Sequence, residues 1–173
     1  MLLGAVFLVG GAAALTRFTR RSSTDAGRGP ALSTEQFALL EQVADVIIPS
    51  TDTPGAIGAG VPAFLRDMLD TWASHQTRVE IAGVLDMLEK RSWDKFGAAF
   101  LELPAERRLE IVRGYDEDAV GRQDPAYGKF KYLILVGYYQ SEIGATQELR
   151  FELVPGAWRS CLPLTEVGRA SAV

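Results

Sequence analysis

Cysteine and histidine each occur once in the chain, as Cys161 and His75. One cysteine excludes an internal disulfide, a cysteine-ligated zinc or iron–sulfur site and a Cys-x-x-Cys-His haem attachment, and one histidine excludes most metal triads. Positive charge is also scarce: 18 Lys and Arg face 22 Asp and Glu, for a net charge of −4 and an isoelectric point near 5.1. No basic stretch is interleaved with aromatics, so nucleic acid is not an expected partner. Low-complexity tracts and internal repeats are missing, which excludes collagen-like, solenoid and propeller architectures. The uncharged apolar run Met1 to Leu15 is shorter than the roughly 20 residues that a membrane-spanning helix needs. What remains, 173 residues of which 47% are hydrophobic, is enough for one globular domain with tails.

Met1 to Leu15 reads as a signal-peptide core. Ala12 and Ala14 fit an A-x-A cleavage site, and the polar, glycine-bearing stretch after it is a linker. The organisation expected is therefore a signal-like segment and flexible linker over residues 1–30, a helical domain over 31–144 and an extended tail over 145–173, packing on the domain or on a partner. Export places the odd cysteine in an oxidising compartment, where it tends to pair with another chain.

Within the domain the apolar residues recur at helical spacing, and the fold class expected is all-α, about five helices in one compact unit. Ser33 with Gln36 forms a capping box and Leu32 with Phe37 a hydrophobic staple, so a first helix starts here with Leu40, Val43, Ala44 and Ile47 inward and ends before Pro49. Pro49 to Gly60, PSTDTPGAIGAG, is a loop long enough to have a purpose. Val61-Pro62 opens a second helix with the stripe Leu65, Met68, Leu69 and Trp72. A third helix, capped by Thr77, carries Ile81, Val84, Leu85 and Leu88 and extends through Trp93 and Phe96. The fourth runs from Pro104 to about Ala119 with Leu109, Val112 and Tyr115 inward. Asp124-Pro125 caps a fifth, lined by Phe130, Leu133, Ile134, Gly137 and Tyr138 up to Gly144.

No constellation of catalytic residues emerges. Gly55-x-x-Gly58-x-Gly60 reverses the order of a dinucleotide-binding fingerprint, and the residues before it have helical, not strand, periodicity. Asp116-Glu117-Asp118 point in three directions around a helix and cannot converge on one atom. His75 has no Ser, Cys or acidic partner at a recognisable spacing. Contact residues are easier to name: Tyr138 and Tyr139 at the end of the fifth helix, and Trp158 and Arg159 beside Cys161 in the tail, are of the types that anchor interfaces. Pro49, Pro54 and Pro62 restrict the loop, and Asp52 is suited to an Asx-turn, so Asp52, Thr53, Pro54 and Gly55 are expected to form a fixed structural loop.

Two blocks carry a resemblance. The run Ala44 to Ala56, ADVIIPSTDTPGA, continued by Gly60-Val61-Pro62-Ala63-Phe64, together with Gly137-Tyr138-Tyr139-Gln140-Ser141-Glu142 and Pro155-Gly156 ahead of Cys161-Leu162-Pro163, resembles the gluconate 2-dehydrogenase subunit 3 family. The likeness spans roughly Ser33 to Pro163. It implies a non-catalytic small subunit of a periplasmic, membrane-associated dehydrogenase of sugars or polyols. A large FAD-dependent subunit would perform the oxidation, a multihaem cytochrome c would carry electrons away, and the small subunit would assist folding, export and assembly of the flavoprotein. Membrane association would come through those partners or through the apolar amino terminus. Members usually carry a twin-arginine signal ahead of the apolar run, whereas the only adjacent arginine pair here, Arg20-Arg21, follows it; a start upstream would restore the pattern. As the only cysteine of an exported chain, in a tail beside Trp158 and Arg159, Cys161 is expected to form a disulfide with a cysteine of the large subunit. The alternative reading is an autonomous exported protein that binds a small molecule with the Pro49 to Gly60 loop. The first reading expects the chain purified without its partner to carry no flavin, haem or metal, and stoichiometric flavin absorbance in that preparation would overturn it.

Overall fold

The computed structural model describes residues 31–152 together with 156, 161, 163, 165 and 168–172. Five α-helices build it: α1 (Thr34–Ile47), α2 (Val61–Thr71), α3 (His75–Phe96), α4 (Ala105–Gly121) and α5 (Pro125–Tyr139). A 3₁₀ turn over Phe100–Glu102 joins α3 to α4, and a π-helical turn over Gly144–Glu148 follows α5. The tail contributes one short parallel pairing, β1 (Arg150–Phe151) with β2 (Ser171–Ala172). The chain thus stays helical past Gly144, because Ala145 and Leu149 continue to donate backward along it, to the carbonyls of Ser141 and Gly144. Among the described residues no helix is long and apolar enough to cross a membrane.

Local chemistry starts and stops the helices. Ser33 and Gln36 exchange both bonds of the capping box that begins α1. Ser74, and not Thr77, caps α3, accepting the Thr77 amide; the helix therefore begins at His75, which is exposed on its first turn and is not a linker residue. Gly97, at φ 65°, closes α3 in the left-handed region where glycine is favoured. The Asp124 side chain accepts the amides of Ala126 and Tyr127 and starts α5 behind Pro125.

α1 packs on α2, α3 and α4, while α5 packs on α2, α3 and α4. The apolar stripes meet in one core that includes Leu40 and Val43 of α1, Leu65 and Leu69 of α2, Ile81, Leu85 and Leu88 of α3, Ile111 of α4, and Phe130 and Ile134 of α5. Three residues depart from the expected stripes. Trp72 is 85% exposed because α2 ends at Thr71, and Trp93 and Leu109 lie on the wet sides of their helices. On α4 the inward face is Ile111, Val112, Tyr115 and Ala119, one position round from a stripe based on Leu109. Phe100 is fully buried, and Arg108 fastens the 3₁₀ turn by donating to the carbonyls of Leu103 at 2.8 Å and Leu101 at 3.1 Å and to the side chain of Gln42.

The acidic run of α4 does diverge. Asp116 meets Lys131 of α5 at 2.6 Å and Asp118 meets Arg91 of α3 at 2.6 Å. The Arg91 guanidinium bonds the Asp118 carboxyl and holds it below the usual carboxylate range. Tyr127 of α5 lies edge-on to Tyr115 of α4, with ring centroids 5.0 Å apart. Its hydroxyl is buried and, among the described residues, meets no partner in hydrogen-bonding geometry. Burial pushes the phenol's pKa up, and the nearby Asp116 carboxylate pushes it further while donating nothing itself. A buried hydroxyl without a partner contributes no net stability. Tyr127→Phe is thus expected to leave the urea midpoint unchanged or raise it, within about 0.5 kcal/mol; a loss of about 2 kcal/mol would mean that the hydroxyl is satisfied after all.

Candidate functional site

The loop between α1 and α2 closes on itself. The Ala56 amide donates to the Ile48 carbonyl at 2.8 Å and the Val61 amide to the Ala56 carbonyl at 3.0 Å, so the chain returns to the end of α1 before α2 starts. Gly55 makes this return possible, since a Cβ there would sit 2.5 Å from the Ile48 carbonyl oxygen and 2.6 Å from the Pro49 carbonyl carbon. Gly60, at φ 74°, is the N-cap residue of α2. Ala56 is fully buried, so the inner face of the loop is filled by its own chain. Val46 to Ile48, which precede the glycines, are the end of a helix, as their periodicity indicated.

The loop is then bolted to the far end of α5, some 85 residues along the chain. The Tyr138 hydroxyl, on a side chain only 2% exposed, donates to the Pro54 carbonyl at 3.0 Å. The buried Thr53 hydroxyl donates to the Glu148 carboxylate at 2.9 Å. With both hydroxyl protons committed, the 3.5 Å approach of the Thr53 and Tyr138 oxygens is a contact between acceptors, not a third bond. Glu148 reaches Thr53 because the chain doubles back after α5. Ser141 donates its hydroxyl to the Tyr138 carbonyl at 2.6 Å and accepts the Gly144 amide at 3.0 Å. A Cβ on Gly144 would lie 2.0 Å from the Tyr138 carbonyl oxygen, so only glycine fits this reversal. The π-helical turn then carries Glu148 back to the loop.

Asp52 does not take part in the bolt. It is exposed, and the Thr51 hydroxyl, donating at 2.9 Å, and next its own amide hold its carboxyl below the usual carboxylate range. The turn-forming role expected of it is confined to the outer rim, while Thr53, Pro54 and Gly55 make the inner contacts.

Two partly exposed aromatic side chains lie beside the bolt. Gly137 has no room for a Cβ because Phe64 of α2 would lie 2.9 Å away, and the Phe64 ring resting there is 43% exposed. Tyr139 packs edge-on against Tyr138 at 5.3 Å and is 42% exposed. Ile57 on the loop and Phe151 in β1 are about half exposed as well. The site thus joins Thr53, Pro54, Gly55, Tyr138 and Tyr139. Cys161 is exposed and free, and Trp158 and Arg159 lie outside the described residues. Sequence reading missed Phe64 and Glu148 as site residues. Phe64 stands in the stretch Gly60 to Phe64 and was legible there, whereas Glu148 lies beyond the last helical stripe and had no signal.

Residues 34–156, well over half the chain, match the family model described as Gluconate 2-dehydrogenase subunit 3. No curated protein and no solved structure matches. The matched span contains both halves of the bolt. If the bolt holds the site together, Tyr138→Phe, which strands the Pro54 carbonyl, should cost about 1–2 kcal/mol in urea unfolding. Gly55→Ala, which drives a methyl into backbone, should cost about 2 kcal/mol or more. An unchanged midpoint for both would mean that the loop docks without these contacts.

Proposed function

The chain belongs to the gluconate 2-dehydrogenase subunit 3 family, and from that premise we propose that it is a non-catalytic small subunit of a periplasmic FAD-dependent dehydrogenase of sugars or polyols. In this reading it assists folding, export and assembly of the large flavoprotein subunit, a multihaem cytochrome c subunit takes the electrons, and flavin and haem reside in those partners. Membership of the family supports a place in a multisubunit, membrane-associated dehydrogenase complex.

The observation that carries the reading is the surface over the bolt. Two stretches far apart in sequence, 49–64 and 137–148, are drawn together by buried hydrogen bonds and leave Phe64 and Tyr139 partly exposed beside them. Rigid aromatic side chains on an ordered support lose little entropy on association, which is why they anchor interfaces. The same geometry argues against a small-molecule site formed by the loop, whose inner face is occupied by Ala56, Thr53 and the bond to Tyr138. Cys161 is exposed, as the expected bridge to the large subunit requires.

The test is co-expression of the chain with the large flavoprotein subunit and recovery of the pair. Phe64→Asp combined with Tyr139→Asp is expected to lower recovery of the flavoprotein by about tenfold or more, a loss of about 1.4 kcal/mol. Leu109→Asp, an equally exposed apolar residue on α4, should leave recovery unchanged. Full recovery with the double variant, in a chain of unaltered helicity, would place the interface elsewhere.

A further inference from the structure

A second concave surface lies where the first turns of α1 meet the middle of α3 and the 3₁₀ turn. It is a groove of about 420 Å³ with Leu39, Leu85 and Leu101 in its lining and Glu35, Asp86 and Glu89 around it. Among the described residues these acids meet no Lys or Arg. Glu80, Asp94, Glu110, Asp116 and Asp118 each meet a Lys or Arg, whereas among the described residues the three groove acids have neutral partners. Glu35 accepts the Ser33 hydroxyl, Asp86 the Gln36 amide, and Glu89 the Trp93 indole and the Phe100 backbone amide. An apolar floor beside three carboxylates that have only neutral partners among the described residues calls for an occupant with both apolar and basic side chains.

The chain carries such a segment next to the groove. Between residues 17 and 28 stand Arg17, Arg20, Arg21 and Arg28 with one acid, Asp25, and the aromatic Phe18. Its net charge of +3 opposes the three acids. Ser33, which also lines the groove, follows Arg28 by five positions, and a ten-residue stretch spans about 33 Å when extended, so the tether reaches every part of the groove. A tether this short gives an effective concentration in about the millimolar range, so weak ionic contacts suffice.

We propose that the arginine-rich segment from Arg17 to Arg28 docks into the groove between α1 and α3, with Phe18 on the leucines and arginines on the acids. Docking covers the exposed side of Leu101, beside the buried Leu39 and Leu85, and it fixes the junction between the amino-terminal segment and the domain. The inference stands on the groove and the sequence of the segment, independently of the family assignment.

Limited trypsin digestion of the full chain tests it, because docked arginines are cut only when they open. Reversing the rim with Glu35→Lys and Asp86→Lys is expected to speed cleavage after Arg17 and Arg28 about fivefold, equivalent to about 1 kcal/mol of ionic contact. Adding Arg20→Glu and Arg21→Glu to that chain should restore the slow rate, while the same two changes against the native rim should speed cleavage. If the reversed rim fails to fold, as read by circular dichroism, Glu35→Gln with Asp86→Asn gives the same comparison with a rise of about twofold. Equal rates in all variants would overturn the proposal. So would protection that grows with protein concentration, which marks a second copy as the occupant, or protection that arises only on adding the flavoprotein subunit.

Discussion

One hydrogen bond, from the Tyr138 hydroxyl to the Pro54 carbonyl, organises much of this molecule. A twelve-residue loop carrying three glycines has large conformational entropy to lose, and the chain recovers it through buried contacts made at one place. The phenol reaches the loop because α5 ends there, and α5 ends there because Ser141 and Gly144 turn the chain back. The same reversal delivers Glu148 to Thr53. Removal of the tyrosine hydroxyl would strand the Pro54 carbonyl and leave the Thr53–Glu148 bond as the remaining polar tie between the loop and the turn after α5.

This arrangement has a consequence for recognition. Surface aromatics on a mobile loop would pay an ordering cost on binding, whereas Phe64 is held over Gly137 and Tyr139 against Tyr138 before any partner arrives. Binding surface and fold stability therefore share residues. The acid-rimmed groove near the start of α1 is different in character, with an apolar floor and three carboxylates that have only neutral partners among the described residues. The two surfaces suit different kinds of contact, one governed by shape and apolar area, the other by charge.

Helix number, order and approximate limits were legible because each rests on local rules. The Ser33 capping box, the Asp124-Pro125 start and the stripes of α1 and α3 need no distant residue to be read. Errors arose where tertiary packing chose among local options. Thr77 and Ser74 are both competent caps, and Ser74 prevails because the chain enters α3 one turn earlier. Trp72 continues a helical stripe in sequence, yet α2 stops before it and the ring faces solvent.

At the site, local rules suffice to read Pro49 to Gly60 as a constrained loop and Tyr138 and Tyr139 as the end of an apolar helix. Proline and glycine act on their own backbone, and helical periodicity is a property of neighbours. Long-range packing brings these two stretches together, turns Thr53 and not Asp52 inward, and lets Glu148 close the arrangement. A hydrogen bond between residues 84 apart depends on the summed geometry of every helix between them, and no local pattern records that sum.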